Sequence, residues 1–171
     1  MKLLVAASLA LFTSICHAQT FGSWTVGLDD SGAPYMVATN DSGNYLGKWC
    51  TATDKSCYWL IAAQNRCDSG TSADVLISSV QGVRSNTTIC TGPTDVVAGV
   101  NLFRNALTDP DGIDKIVQKS STFSVVMALT GDNFKVMRFP MNGAPEALSR
   151  WRSLVSAWLK TLPPSTKDTV L

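Results

Sequence analysis

The first eighteen residues constrain this chain more than any other stretch of it. Met1-Lys2, an apolar run from Leu3 to Ile15 and Cys16-His17-Ala18 follow the plan of a secretory signal peptide. That plan is one positive charge, a hydrophobic stretch too short to span a bilayer, and a small residue before the cut. A lipoprotein signal fits less well, because Ile15 stands where a lipobox needs a small residue ahead of Cys16. Cleavage after Ala18 removes His17, the only histidine, and one of the five cysteines. The mature chain must then fold in an oxidising compartment, periplasmic or extracellular, with four cysteines and no imidazole. No later segment is apolar enough to cross a membrane.

Loss of Lys2 from the 14 basic residues leaves 13, against 13 acidic ones, so the mature chain is formally neutral. No chain-wide field draws nucleic acid or an anionic membrane, and neither is expected as a partner. Glu146 is the only glutamate, and the remaining carboxylates are aspartates, which suit turns and caps. The 45% hydrophobic content is enough for a real core in one domain of this length.

Cys50, Cys57, Cys67 and Cys90 allow three pairings. The local pattern favours Cys50 with Cys57 and Cys67 with Cys90. Tyr45 to Cys50 and Cys57 to Ala63 are strand-like runs separated by the polar stretch Thr51 to Ser56, so they form a hairpin with the two cysteines facing near its tip. In that register Trp49 meets Tyr58, Lys48 meets Trp59 and Leu46 meets Ile61. Closing the two loops would stabilise the fold by roughly 2.5 and 3.5 kcal/mol in the chain-entropy model. A metal site built from the four thiolates lacks paired C-x-x-C spacing, and no metal or cofactor is expected.

Periodicity organises the rest. Phe21 to Leu28 and Pro34 to Thr39 read as strands joined by the turn Asp29-Asp30-Ser31-Gly32, and Asn40 to Gly43 turns into the cysteine hairpin. Ala73 to Val80 and Val83 to Cys90 follow as two more strands, which extends a meander of antiparallel strands. Thr108-Asp109-Pro110-Asp111 matches a capping box opening a short helix through Ile113, Ile116 and Val117. Thr122 to Leu129 and Asn133 to Phe139 form a hairpin around Thr130-Gly131-Asp132. From Pro145 to Lys160, Ala147, Leu148, Trp151, Leu154, Val155, Trp158 and Leu159 share one helical face, with Glu146, Arg150, Arg152 and Lys160 opposite. Pro163-Pro164 stops this helix. The expected organisation is a signal peptide over 1–18, one β-rich domain over 19–160, and a polar flexible tail over 161–171. The expected fold is α+β: an antiparallel β-sandwich or strongly twisted sheet, disulfide-stapled, with a C-terminal amphipathic helix.

Two motifs at the ends of the mature chain carry a resemblance. Phe21-Gly22-Ser23-Trp24-Thr25-Val26, with Val136 to Ala144 running into Ala147-Leu148, resembles the invasion-associated locus B family of exported bacterial proteins. The resemblance covers about 25 residues. Gly27 and Leu28 stand where members of that family often place a cysteine. It implies an exported β-sandwich associated with bacterial envelopes and host contact, without an assigned enzymatic activity.

Catalytic readings have little to stand on. Ser-His-Asp and Cys-His chemistry lacks a histidine, and a cysteine held in a disulfide is no nucleophile. A Ser-Lys dyad has no S-x-x-K in a catalytic context, and the aspartates fall in turn signals. Asp109 to Asp114 resembles the start of a calcium loop, but its glycine is two positions early and Ser120 replaces the closing glutamate. No catalytic residue is assigned. The hairpin aromatics give the better lead: Trp49 with Tyr58 on one face and Trp59 with Lys48 on the other. If one face packs on the core, the other presents rings to solvent. The expected role is therefore an exported, non-enzymatic binding module whose partner is a protein or envelope component. A histidine-free hydrolase using aspartates and a protein inhibitor or immunity factor are the alternatives.

The mature protein is predicted to begin at Gln19 and to contain no free thiol. Intact mass and thiol titration of the denatured, unreduced protein test this, and two or more reactive thiols per chain would overturn the pairing.

Overall fold

Alternation of inward and outward side chains turns most of this chain into strands, each too narrow to be stable until its neighbours cover it. In the computed structural model residues 18–97, 100–129 and 133–162 are described. The expected signal segment up to His17, Ala98-Gly99, the expected turn Thr130-Gly131-Asp132 and the chain from Pro163 onward lie outside them. The elements in order are β1 (Gln19–Phe21), β2 (Trp24–Leu28), β3 (Pro34–Thr39), β4 (Tyr45–Cys50), β5 (Cys57–Ala63), β6 (Ser72–Ser79), β7 (Gly82–Val97) and β8 (Val100–Leu107). Then come α1 (Pro110–Lys119), β9 (Thr122–Ala128), β10 (Phe134–Pro140) and α2 (Ala144–Thr161).

The strands form one ten-stranded antiparallel sheet in the order β1-β2-β3-β4-β5-β8-β7-β6-β9-β10. The expected antiparallel β fold with a C-terminal helix and two disulfides is what is observed, its strands joined in one sheet. The meander holds from β1 to β5 and then ends, because β8 returns to pair with β5 and reverses the order of the next three strands. The sequence reading missed β8. Its alternation is broken by Asn101, Arg104 and Asn105, and its partner β5 is distant in the chain. Strand β7 also runs past Cys90, where the reading ended it, to Val97 with irregular register beside β8.

Two further boundaries move for local reasons. The expected strand Phe21 to Leu28 is broken at Gly22, whose φ of +55° folds β1 back on β2. The capping box at Thr108 does not form as read. Asp109 is the N-cap, its carboxylate accepting from the Gly112 N–H at 2.9 Å, while the Thr108 N–H and hydroxyl bond to the Thr87 carbonyl and Asn86 side chain of β7. A side chain one residue nearer the helix, with Pro110 behind it, caps better than a threonine already committed to the sheet.

The core lies between the inner face of the sheet and both helices. Trp24, Met36, Leu46, Trp59, Ile61, Ile77 and Phe123 fill it from the strands, and Ile113, Ile116 and Val117 from α1. Helix α2 contributes Ala147, Leu148, Trp151 and Trp158 and rests against β1, β2 and β3. Its expected apolar stripe is narrower than predicted, since Leu154 and Val155 are half-buried and Leu159 is 44% exposed. The helix meets the sheet along one ridge, so positions a turn off that ridge fall to solvent.

The two end motifs form one unit. The Ser23 N–H donates to the Asn142 carbonyl at 3.0 Å, and the Trp24 indole N–H donates to the Pro140 carbonyl at 3.0 Å. A Cβ on Gly22 would lie 2.5 Å from the Asn142 oxygen, and one on Gly143 would lie 2.1 Å from the Phe21 oxygen. Both glycines also hold positive φ, so the crossing tolerates no side chain on either strand of it.

Replacing Trp151, which is 4% exposed, by alanine is expected to destabilise the protein by about 3 to 5 kcal/mol through cavity formation, whereas Leu159→Ala stays within about 1 kcal/mol. Denaturant midpoints of the two variants check the contrast, and equal losses would refute docking through this ridge.

Candidate functional site: the outer face of the cysteine hairpin

The cysteine hairpin forms in the register that its sequence dictates. Cys50 faces Cys57, Trp49 faces Tyr58, Lys48 faces Trp59 and Leu46 faces Ile61. The Cys50–Cys57 disulfide closes its tip with Cα atoms 3.9 Å apart, and Cys67–Cys90 ties the chain before β6 to β7 with Cα atoms 6.1 Å apart. Strand alternation then sends the two expected pairs to opposite sides.

Trp59 and Lys48 go inward, to 0% and 7% exposure. The Lys48 ammonium donates to Asp114 Oδ1 at 2.7 Å, and the Trp59 indole N–H donates to the same oxygen at 2.7 Å. Arg152 of α2 donates to Asp114 Oδ2 at 3.0 Å, so a residue read as solvated is an outer partner of the cluster. The ammonium also lies 4.6 Å from the centroid of the Trp151 ring. Burial pushes the Asp114 carboxyl up, but hydrogen bonds from Lys48 and Trp59, the Lys48 charge and the Arg152 hydrogen bond hold it below the ordinary carboxylate range. This half of the expected site is a largely buried junction of β4 and β5 with α1, and Arg152 reaches it from the exposed side of α2.

Trp49 and Tyr58 go outward and gain a third ring that the sequence reading did not include. Register places Tyr35 opposite Trp49, and their rings stack with centroids 6.4 Å apart and planes at 17°. Two glycines make room for them. A Cβ on Gly47 would lie 2.6 Å from the Trp49 ring, and one on Gly27 would lie 3.0 Å from the Tyr35 hydroxyl, so the two rings lie down over bare backbone. Tyr58, 37% exposed, closes the row, and its hydroxyl donates to the Asp54 carboxylate in the tip. Hydrogen bonds from the Thr51 hydroxyl, Tyr58 and the Ser56 N–H hold Asp54 well below the usual carboxylate range. The tip is thus ordered by its own side chains as well as by the disulfide.

Beside this row the outer face is concave. A groove of about 650 Å³ is lined by Tyr58, Leu60, Ile89, Arg104, Ala106 and Pro110 among others. A smaller one of about 190 Å³ adjoins Tyr45, Trp49, Tyr58, Leu60 and Arg104. The linings of these and of two other grooves on the described surface hold one carboxylate between them, Asp29. Asp109, Asp111 and Asp114 do not converge as a calcium loop requires: Asp109 caps α1 and meets Arg84 at 3.5 Å, while Asp114 meets Lys48. Among the described residues no three His, Cys, Asp or Glu side chains group as metal ligands. None of the described helices is long and apolar enough to cross a membrane.

Fold and surface together define a mostly β, disulfide-bonded protein with a helix-backed sheet and an aromatic outer face. The sequence matches no protein-family model and no curated protein. Among solved structures, that of invasion associated protein B from Bartonella henselae has a similar fold, with a TM-score of 0.53 and 14% identity, over 84% of this chain and 99% of that one. The likeness is one of fold, and it agrees with the family that the two end motifs resemble.

The Asp114 junction makes stability pH-dependent. A carboxyl held below its unfolded value of about 4 contributes fully above that pH, and the contribution disappears as pH falls through the folded value. Asp114→Asn, which leaves Lys48 buried without a counter-ion, is expected to cost on the order of 3 kcal/mol at pH 7 and progressively less as pH falls below about 4. Denaturant midpoints across that range test this, and a loss independent of pH would refute it.

Proposed function

We propose that this chain is an exported, non-enzymatic binding module of a bacterial envelope, periplasmic or secreted, whose binding surface is the outer face of the β4–β5 hairpin. The observation that carries this reading is the row Tyr35, Trp49 and Tyr58 on the solvent side of the sheet, bordered by a groove of about 650 Å³. Rings pre-set by a disulfide, by glycine floors and by the Asp54 contact lose little entropy on binding. Desolvated aromatic contact then supplies affinity that a neutral chain does not gain from steering. Trp49 and Tyr58 carry the binding role, while Lys48 and Trp59 support them from beneath.

Two disulfides and the fold shared with an invasion associated protein support export, and that protein's name supports a role at host contact. One sheet runs through all the described strands, which supports a single domain over 19–160. The hydrolase reading needs two carboxylates facing one concavity, and the groove linings hold only Asp29. An inhibitor or immunity factor would act through this same face, with an enzyme as its partner.

Partner capture from envelope and host extracts tests the proposal. Trp49→Ala and Tyr58→Ala are expected to weaken capture at least about tenfold, roughly 1.4 kcal/mol, with thermal unfolding still cooperative. Phe134→Ala, on exposed edge strand β10, is expected to leave capture unchanged. Loss with Phe134→Ala and retention with both hairpin variants would move the binding surface to the other end of the sheet.

A further inference from the structure

The groove beside the hairpin combines an aliphatic floor with a cation that lacks an acceptor. Register puts Leu60, Ala106 and Ile89 side by side across β5, β8 and β7, all on the outer face. Arg104 stands one row along the same face of β8, where it lines both the larger and the smaller groove. Its Nε is buried without a hydrogen-bond partner, and among the described residues no carboxylate lies within ion-pair distance of it. Asp29, across the smaller groove, already accepts from the Ser31 N–H, the Ser31 hydroxyl and the Ala33 N–H.

We propose that this groove binds a single-chain anionic amphiphile, with the hydrocarbon along Leu60, Ala106 and Ile89 and the anionic group on the Arg104 guanidinium. The proposal rests on the outer face being the binding surface and names the ligand class that it takes. A guanidinium drawn partly out of water without an acceptor is unfavourable, and a carboxylate or phosphate oxygen pair matches its fork. The mature chain carries no net charge, so selection for an anion at this place has to be local. The larger groove has one ring, Tyr58, among otherwise mainly aliphatic and small side chains, which suits a flexible chain better than a stacked aromatic. Its volume of about 650 Å³ lies within the range of small-molecule sites. Each methylene buried there adds up to about fourfold in affinity.

Calorimetric titration of the mature protein with dodecanoate, dodecanol and dodecyltrimethylammonium, the ions below their micellar concentrations and the alcohol below its solubility limit, tests the proposal. Dodecanoate is expected to bind one to one, at least about tenfold tighter than the other two. Arg104→Gln is expected to reduce dodecanoate to the level of dodecanol, and Ala106→Phe, which fills the floor, to weaken both at least about tenfold while the circular dichroism spectrum is retained. Dodecanoate that fails to saturate, or that binds Arg104→Gln as tightly as the unaltered protein, overturns the proposal. So does association with phosphatidylglycerol vesicles in the absence of monomer binding, which assigns Arg104 to a membrane headgroup. If Trp49→Ala abolishes envelope capture while dodecanoate does not bind, this inference alone fails. If dodecanoate binds while capture survives both Trp49→Ala and Tyr58→Ala, the hairpin reading fails and the groove stands.

Discussion

The buried contact between Lys48 and Asp114 decides how the rest of the molecule is arranged. A lysine ammonium in a core is tolerable only when it is paired and its donors are used, and here a carboxylate and the Trp151 ring surround it. The pair joins β4 to α1, and Arg152 extends it to α2, so three elements distant in sequence share one charge cluster. Because side chains alternate, committing Lys48 and Trp59 to the interior commits Trp49 and Tyr58 to the exterior. A slip of one residue would leave the partly buried Asp114 without its ammonium partner and carry Tyr58 inward, away from Asp54. The polar contact therefore does more to specify which face is outside than to add net stability.

Backbone approach does similar work at two other places. Gly22 and Gly143 let the turn between β1 and β2 press against the entrance of α2, closer than any side chain permits. This is why an opening F-G-x-W-x-V and a closing M-N-G-A, far apart in sequence, belong together: each supplies the glycine that the other's carbonyl needs. On the outer face, Gly27 and Gly47 lower the floor so that Tyr35 and Trp49 lie flat as a stack. In both cases the absent Cβ is the functional part of the residue.

The outer face follows from these constraints. Its rings are held by stacking, by the disulfide tip and by a phenol–carboxylate hydrogen bond, so the surface is ordered by contacts within the chain itself. The groove next to it exists because β8 returns to the far side of β5 and brings Ala106 and Arg104 alongside Leu60.

Local chemistry in the sequence was sufficient for the cysteine hairpin, its register, both disulfides and the presence of both helices. The hairpin, its disulfide and the helices depend on residues close together in the chain, where turn composition and side-chain period are unambiguous, and once Cys50 and Cys57 are paired only Cys67 and Cys90 remain for the second bridge. The candidate site was half legible for the same reason: the register says which residues pair, but not which face is covered. That choice came from Asp114 and from the docking of α2 on β1 to β3, neither of which has a signal near the hairpin. Strand β8 and Arg104 were invisible because Asn101, Arg104 and Asn105 break the alternation that marks a strand, and only pairing with both β7 and β5 makes this run one. Thus the sequence alone determined the local pairings, while only the tertiary structure decided which side of them meets solvent, since burial is a property of what packs on a strand and not of the strand itself.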